Sequence, residues 1–179
     1  MPSFLASARS NKLPSTGTGN VTSETQILGS DGKVLVVPIE GSLVLQTPGN
    51  ARRFRYSIAG YMTSGTSSTV TLKMYLGTST TIANNGTALF SITTASLGST
   101  NQNFFLDLVL MYDSVSQSIA GYYVGQACNT LIDLTAITQT SLTTFSDVAE
   151  NQGFTLTAIF NSTNASNNLI VTTAEIIPE

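Results

Sequence analysis

The chain has no histidine, no tryptophan and a single cysteine, Cys128, and its 179 residues hold only seven lysines and arginines against ten acidic residues. Without histidine, the Ser-His-Asp triad, the Cys-His nucleophile pair and imidazole metal ligands are all excluded. One cysteine cannot form an intrachain disulfide, and without a neighbouring imidazole its thiol lacks the usual activating base, so Cys128 reads as a small buried hydrophobe. Charged residues make up 9% of the chain, far below the roughly 25% usual in soluble proteins, with Ser, Thr, Asn and Gly in their place. A face of that kind carries little charge to desolvate and little side-chain entropy to lose when a partner covers it. It fits assembly, and it equally fits an ordinary Thr- and Ser-rich β domain.

Long apolar runs are missing as well. No stretch approaches the roughly 20 apolar residues of a membrane helix, and the patch at Phe4 and Leu5 is too short for the apolar centre of a signal peptide. Synthesis in the cytoplasm with no membrane association is the expectation. The asparagines of the Asn-Xaa-Ser/Thr triplets at Asn20, Asn85, Asn161 and Asn164 then read as by-products of a Thr-rich composition. The net charge of −3 and pI near 4.7 exclude a nucleic-acid binder that works by neutralising phosphates. Positive charge gathers only at Arg52, Arg53 and Arg55, where strand geometry puts Arg53 and Arg55 on one face. That is a solvated strand edge, or a contact for an acidic partner.

What the chain does have is period-two alternation. Residues 1–32 are Ser-, Thr-, Gly- and Asn-rich with scattered apolar positions, and read as an extended arm, either frayed or ordered only against a neighbour. A sandwich domain is expected over 33–179, opening at the Ser30-Asp31-Gly32 turn. Short strands are expected at 34–37 and 43–46, then a turn at 47–50 and a strand in which Phe54, Tyr56 and Ile58 oppose Arg53, Arg55 and Ser57. Val70, Leu72, Met74 and Leu76 alternate with Thr69, Thr71, Lys73 and Tyr75, which predicts one core face and one wet face. Further strands follow at 88–92, 104–111, 118–124, 138–145, 154–160 and 169–177, with a helical stub at 147–151 too short to cover a sheet. Crossover helices are lacking, so the fold class is all-β: an antiparallel sandwich, jelly roll in preference to immunoglobulin-like, since no Cys-Trp-Cys framework exists.

The segment 104–111 is apolar on both faces except at Asp107, so it is central or lies under an interface. Phe105, Val109 and Met111 form its second face. With Tyr122 and Tyr123, between Gly121 and Gly125 where something packs close to the backbone, they are the candidate interface residues. No catalytic set emerges. Asp107, Asp113, Asp133, Asp147, Glu40, Glu150 and Glu175 show no spacing that pairs an acid with a base. Asp31-Gly32-Lys33 lacks a calcium-loop ladder, Gly17-Thr18-Gly19 has Thr22 in place of a third glycine, and Gly32-Lys33 fails as a phosphate loop. No cofactor and no enzyme activity are expected.

The succession Phe54-Arg-Tyr-Ser-Ile-Ala-Gly60, Thr71-Leu-Lys-Met-Tyr-Leu-Gly77-Thr78, Asn103-Phe-Phe-Leu-Asp-Leu108 and Phe154-Thr-Leu-Thr-Ala158 before Asn167-Asn168-Leu169 resembles small structural proteins of tailed bacteriophages, above all jelly-roll head decoration (cement) proteins. The resemblance covers about residues 50–177, in strand order and spacing and without a diagnostic motif. It implies a virion protein on the capsid surface, a homotrimer whose arm reaches over the major capsid protein and stabilises the shell. A trimer contact through the doubly apolar strand 104–111 would follow. Two other roles suit the same features: a tail or fibre module that binds a host glycan, and a single-jelly-roll shell subunit. For glycan stacking the spare aromatics are Tyr61, Tyr75, Tyr112 and one of Tyr122 and Tyr123.

Overall fold

A computed structural model describes residues 22–27, 36–38, 52–65, 67–77, 88–113, 118–128, 130–139 and 153–178. Ten strands lie among them: β1 (Thr25–Gln26), β2 (Val36–Pro38), β3 (Arg52–Thr63), β4 (Val70–Gly77), β5 (Phe90–Thr93), β6 (Gln102–Asp113), β7 (Ser118–Ala127), β8 (Thr130–Gln139), β9 (Gly153–Phe160) and β10 (Asn168–Pro178). They form two antiparallel sheets. The first, sheet A, runs β10-β3-β6-β7-β8, and the second, sheet B, runs β1-β9-β4-β5 with β2 also on β9. The pairs β3·β10 and β4·β9 nest one inside the other across the two sheets, the wound-ribbon arrangement of a jelly roll. The all-β antiparallel sandwich expected from alternation is the fold observed.

Alternation explains the core. Tyr56, Ile58 and Met62 of β3 and Phe104, Leu106, Leu108 and Leu110 of β6 point inward from sheet A. Val70, Leu72 and Met74 of β4, with Leu156, Ala158 and Phe160 of β9, meet them from sheet B. All of these side chains are buried, and interlocking apolar faces of two sheets supply most of the drive to fold. Where the chain crosses between sheets at the β3–β4 and β9–β10 corners, buried polar groups replace the ladder. Ser64 Oγ donates to Asn167 Oδ1 at 2.7 Å, Asn167 Nδ2 to Ser162 O at 2.7 Å, and Ser68 Oγ meets Ser162 Oγ at 2.5 Å.

Three departures from the expected strands have physical causes. The eighth strand spans Thr130–Gln139, upstream of the expected 138–145. A bulge sets Asp133 and Leu134 opposite Val124 and shifts the inward phase, so buried Ile132 and Ile137 stand five apart. Secondly, Thr25–Gln26, inside the segment read as an arm, pairs with Ala158 and Thr157 as an edge strand of sheet B. The rest of the expected arm, apart from 22–27, lies outside the described residues, as do 43–46, the turn at 47–50, 140–145 and the stub at 147–151. Thirdly, the outer face of β4 is not wet throughout: Tyr75 is buried.

Candidate functional site

The cover over Tyr75 is the segment that leads into β1. Glu24 sits against the outer face of sheet B, where Oε1 accepts hydrogen bonds from Tyr75 Oη at 2.6 Å and Thr157 Oγ1 at 2.9 Å. Its Oε2 pairs with Lys73 Nζ at 2.8 Å. Burial alone would raise the Glu24 carboxyl, but the bonds from Lys73, Tyr75 and Thr157 and the Lys73 charge outweigh it and hold the group below its ordinary 4.5. Burial, followed by the bond to Glu24, pushes the Tyr75 phenol upward. Every polar atom in this cluster is matched to another, so it fastens the N-terminal segment and leaves no group for chemistry. Sequence reading missed it, since Glu24 and Thr157 are 133 positions apart.

The outer face of sheet A is different. Register places Arg53, Arg55, Ser57 and Ala59 of β3 beside Met111, Val109, Asp107 and Phe105 of β6, which in turn stand beside Ala120, Tyr122, Val124 and Gln126 of β7. Asp107 is neutralised within its strand pair: Arg55 donates to Oδ2 at 2.5 Å and Ser57 to Oδ1 at 2.5 Å. Burial would raise this carboxyl, and the Arg55 and Ser57 bonds reverse the shift and lower it. A partnered carboxylate of this kind is a poor general base. No group of three or more metal-ligating side chains occurs among the described residues.

Of the five candidate interface residues, Val109, Met111 and Tyr122 come together. With Arg53, Ala120 and Gly121 they line an apolar groove of about 230 Å³. Beyond it, the edge strand β8 exposes Leu131 at 73% and Leu134 at 67%. Neither leucine was singled out in the sequence, where no strand is expected over 130–137. Gly121 and Gly125 allow β7 to lie close to β6: a Cβ on either would collide with the backbone oxygen of Val109 or Phe105 respectively. Tyr123 does not belong to this face. It turns inward opposite Leu108 and packs against Phe90 of sheet B, ring centroids 5.3 Å apart.

Phe105 is also separate from the groove. Half exposed at 49%, it borders a second depression of about 450 Å³ at the start of β6, lined by Thr100, Asn101, Gln102, Asn103 and Gln126 with Cys128 at its edge. Cys128 holds the turn after β7 in the left-handed region, φ 57°, where its N–H donates to Asn103 O at 3.0 Å and its carbonyl accepts from Gln126 Nε2 at 2.6 Å. Its side chain is buried, as the sequence predicts, and burial pushes the thiol up to about 11.

No protein-family model matches the sequence, and no curated protein matches it. Solved structures similar to this chain include lectin I-B4 from Griffonia simplicifolia in its metal-free form, at 6% identity over 91% of each chain with a TM-score of 0.35. A legume lectin-like domain from Entamoeba histolytica gives 7% identity over 92% of this chain and 82% of that one, TM-score 0.38. Peanut lectin with a bound 9-residue peptide gives 8% identity over 100% and 94%, TM-score 0.36. These likenesses assign no role to any residue here, and none of the three is a bacteriophage protein.

Proposed function

We propose that this chain is a structural assembly protein that packs against copies of itself through the outer face of sheet A and decorates a virion shell, binding the major capsid protein as a homotrimer. The observation that carries the assembly reading is the apolar groove at Val109, Met111 and Tyr122 together with the exposed Leu131 and Leu134 of β8 in the same sheet. Apolar patches left uncovered on a soluble domain mark interaction surfaces. The two leucines sit on β8, an edge strand whose outer rim has no neighbour among the described strands, where natural sheets usually place charge instead of leucine. Arg53 at the border of the groove gives the charged rim common around an apolar interface centre. The virion setting is supported by the bacteriophage resemblance.

The test is the solution molar mass by light scattering across a concentration series. A concentration-independent trimer is expected, and Val109→Asp or Leu134→Asp should reduce it to a monomer with unchanged far-UV circular dichroism. A wild-type chain that stays monomeric at all concentrations, or variants that keep the oligomer, would overturn the assembly reading.

A further inference from the structure

The depression beside Phe105 lies on the outer face of sheet A at the other end of β6 from the apolar groove, and its chemistry is different. Its lining is made of neutral hydrogen-bonding side chains, and no lysine, arginine, aspartate or glutamate contributes to it among the described residues. An anionic ligand would find no countercharge there, and a metal ion no carboxylate. Asn101, Asn103 and Gln126 are exposed, and each terminal amide offers both donors and an acceptor. Phe105 adds an exposed ring at the border. A volume of about 450 Å³ lies within the range of small-molecule sites.

The backbone here is already committed. Asn103 O accepts from Cys128 N–H, and Cys128 O accepts from the Gln126 amide, which holds Gln126 in place across the turn. A peptide strand seeking main-chain partners therefore finds these two carbonyls taken, whereas a ligand rich in hydroxyls meets the exposed side chains of Asn101 and Asn103 and the Gln126 side-chain carbonyl oxygen. A further sign is Gln102, whose Oε1 is shut off from solvent and has no hydrogen-bond partner among the described residues. Buried carbonyl oxygens are nearly always paired. Gln102 is itself a lining residue of the depression, and its terminal torsion is soft.

We propose that this depression binds a neutral carbohydrate, with Phe105 stacking on the C–H face of a pyranose ring while Asn101, Asn103 and Gln126 bond its hydroxyls. The ring supplies the apolar contact and the amides fix the orientation, the combination a sugar needs because one side of it is apolar and its rim is polar. The groove at Val109, Met111 and Tyr122 shares no residue with the site, so a substitution in the groove distinguishes sugar binding from self-association.

The experiment is a ¹⁵N chemical-shift titration of the full chain with the methyl glycosides of glucose, galactose, mannose and N-acetylglucosamine, and with sialyllactose as a charged comparison. Saturable shifts at residues 101–105 and 126 with at least one neutral glycoside are expected, in the millimolar range for a single sugar. Phe105→Ala should weaken binding about tenfold and Phe105→Tyr should retain it. Asn103→Ala provides a second loss should Phe105→Ala alter the fold, and Met111→Asp should leave the titration unchanged. Silence with all four glycosides, preference for the sialylated one alone, shifts mapping to the apolar groove, or wild-type affinity in Phe105→Ala would each overturn the proposal.

Discussion

Replacing Glu24 by alanine should undock the first strand while leaving the rest of the sandwich folded. The carboxylate accepts from Tyr75 and Thr157 and pairs with Lys73. Hydrogen bonds to a charged group contribute about 1.5–3 kcal/mol each, but three that share one carboxylate do not add. The Lys73 pair is further discounted because its two side chains are 27% and 21% exposed. A net loss of about 2–4 kcal/mol is therefore expected, with fully buried Ile27, worth about 1.5–3 kcal/mol, as the anchor that remains. The readout is hydrogen exchange at the Ile27 amide, which donates to Leu156 O at 3.0 Å and lies outside the carboxylate cluster. Protection there should fall on the order of 30- to 1,000-fold. Because the folded carboxyl titrates below its ordinary 4.5, its contribution is complete above that pH and is lost as pH falls through the lower folded value. Glu24→Gln should remove this acid sensitivity while keeping part of the protection. Protection at Ile27 within about threefold of wild type in Glu24→Ala would refute the reasoning.

Gly121→Ala should destabilise the sandwich by roughly 2–4 kcal/mol in urea unfolding, because the new Cβ meets the Val109 carbonyl oxygen of the adjacent strand, which cannot move without breaking the β6·β7 ladder. A wild-type midpoint would show that the strands have room to separate. Cys128, buried and with its thiol raised to about 11, should resist a thiol-disulfide reagent at pH 8 until the protein is unfolded. Rapid reaction in the folded state would contradict its burial.

Much of the architecture is written in the alternation of individual strands. Val70, Leu72 and Met74, and Leu106, Leu108 and Leu110, are buried as their spacing predicts, because a strand offers only two faces and a sandwich interior accepts one of them. Phe105, Val109, Met111 and Tyr122 were legible as a second face for the same reason. Tyr122 and Tyr123 are adjacent, so one had to turn inward, and only the cross-strand position of Tyr123 opposite Leu108 decides which. Leu131 and Leu134 lie where no strand is expected, because the bulge breaks the period-two pattern that would mark one. The depression beside Phe105 was illegible for another reason: Gln126 and Asn103 become neighbours only when β6 and β7 are in register. The Glu24 cluster joins the segment before β1 to β4 and β9, all remote from one another in sequence.

The nested pairing of the ribbon sets the order in which the molecule can fold. The β6·β7·β8 meander closes through short connections and can form early. By contrast, Tyr56 must find Ile176, and Leu72 must find Ala158, so the outer pairs close over most of the domain's length. Loop-closure entropy has to be overcome before those contacts return any stabilisation, which places such topologies among the slow two-state folders, in the millisecond-to-second range. Until β9 and β10 arrive, β3 has β6 on one side and a bare edge on the other, and the inner apolar face of the meander has no opposite sheet. During that interval the chain is open to mispairing with its own copies. On this view its scarcity of charge, suited to a buried assembled surface, is what makes the unassembled intermediate hazardous.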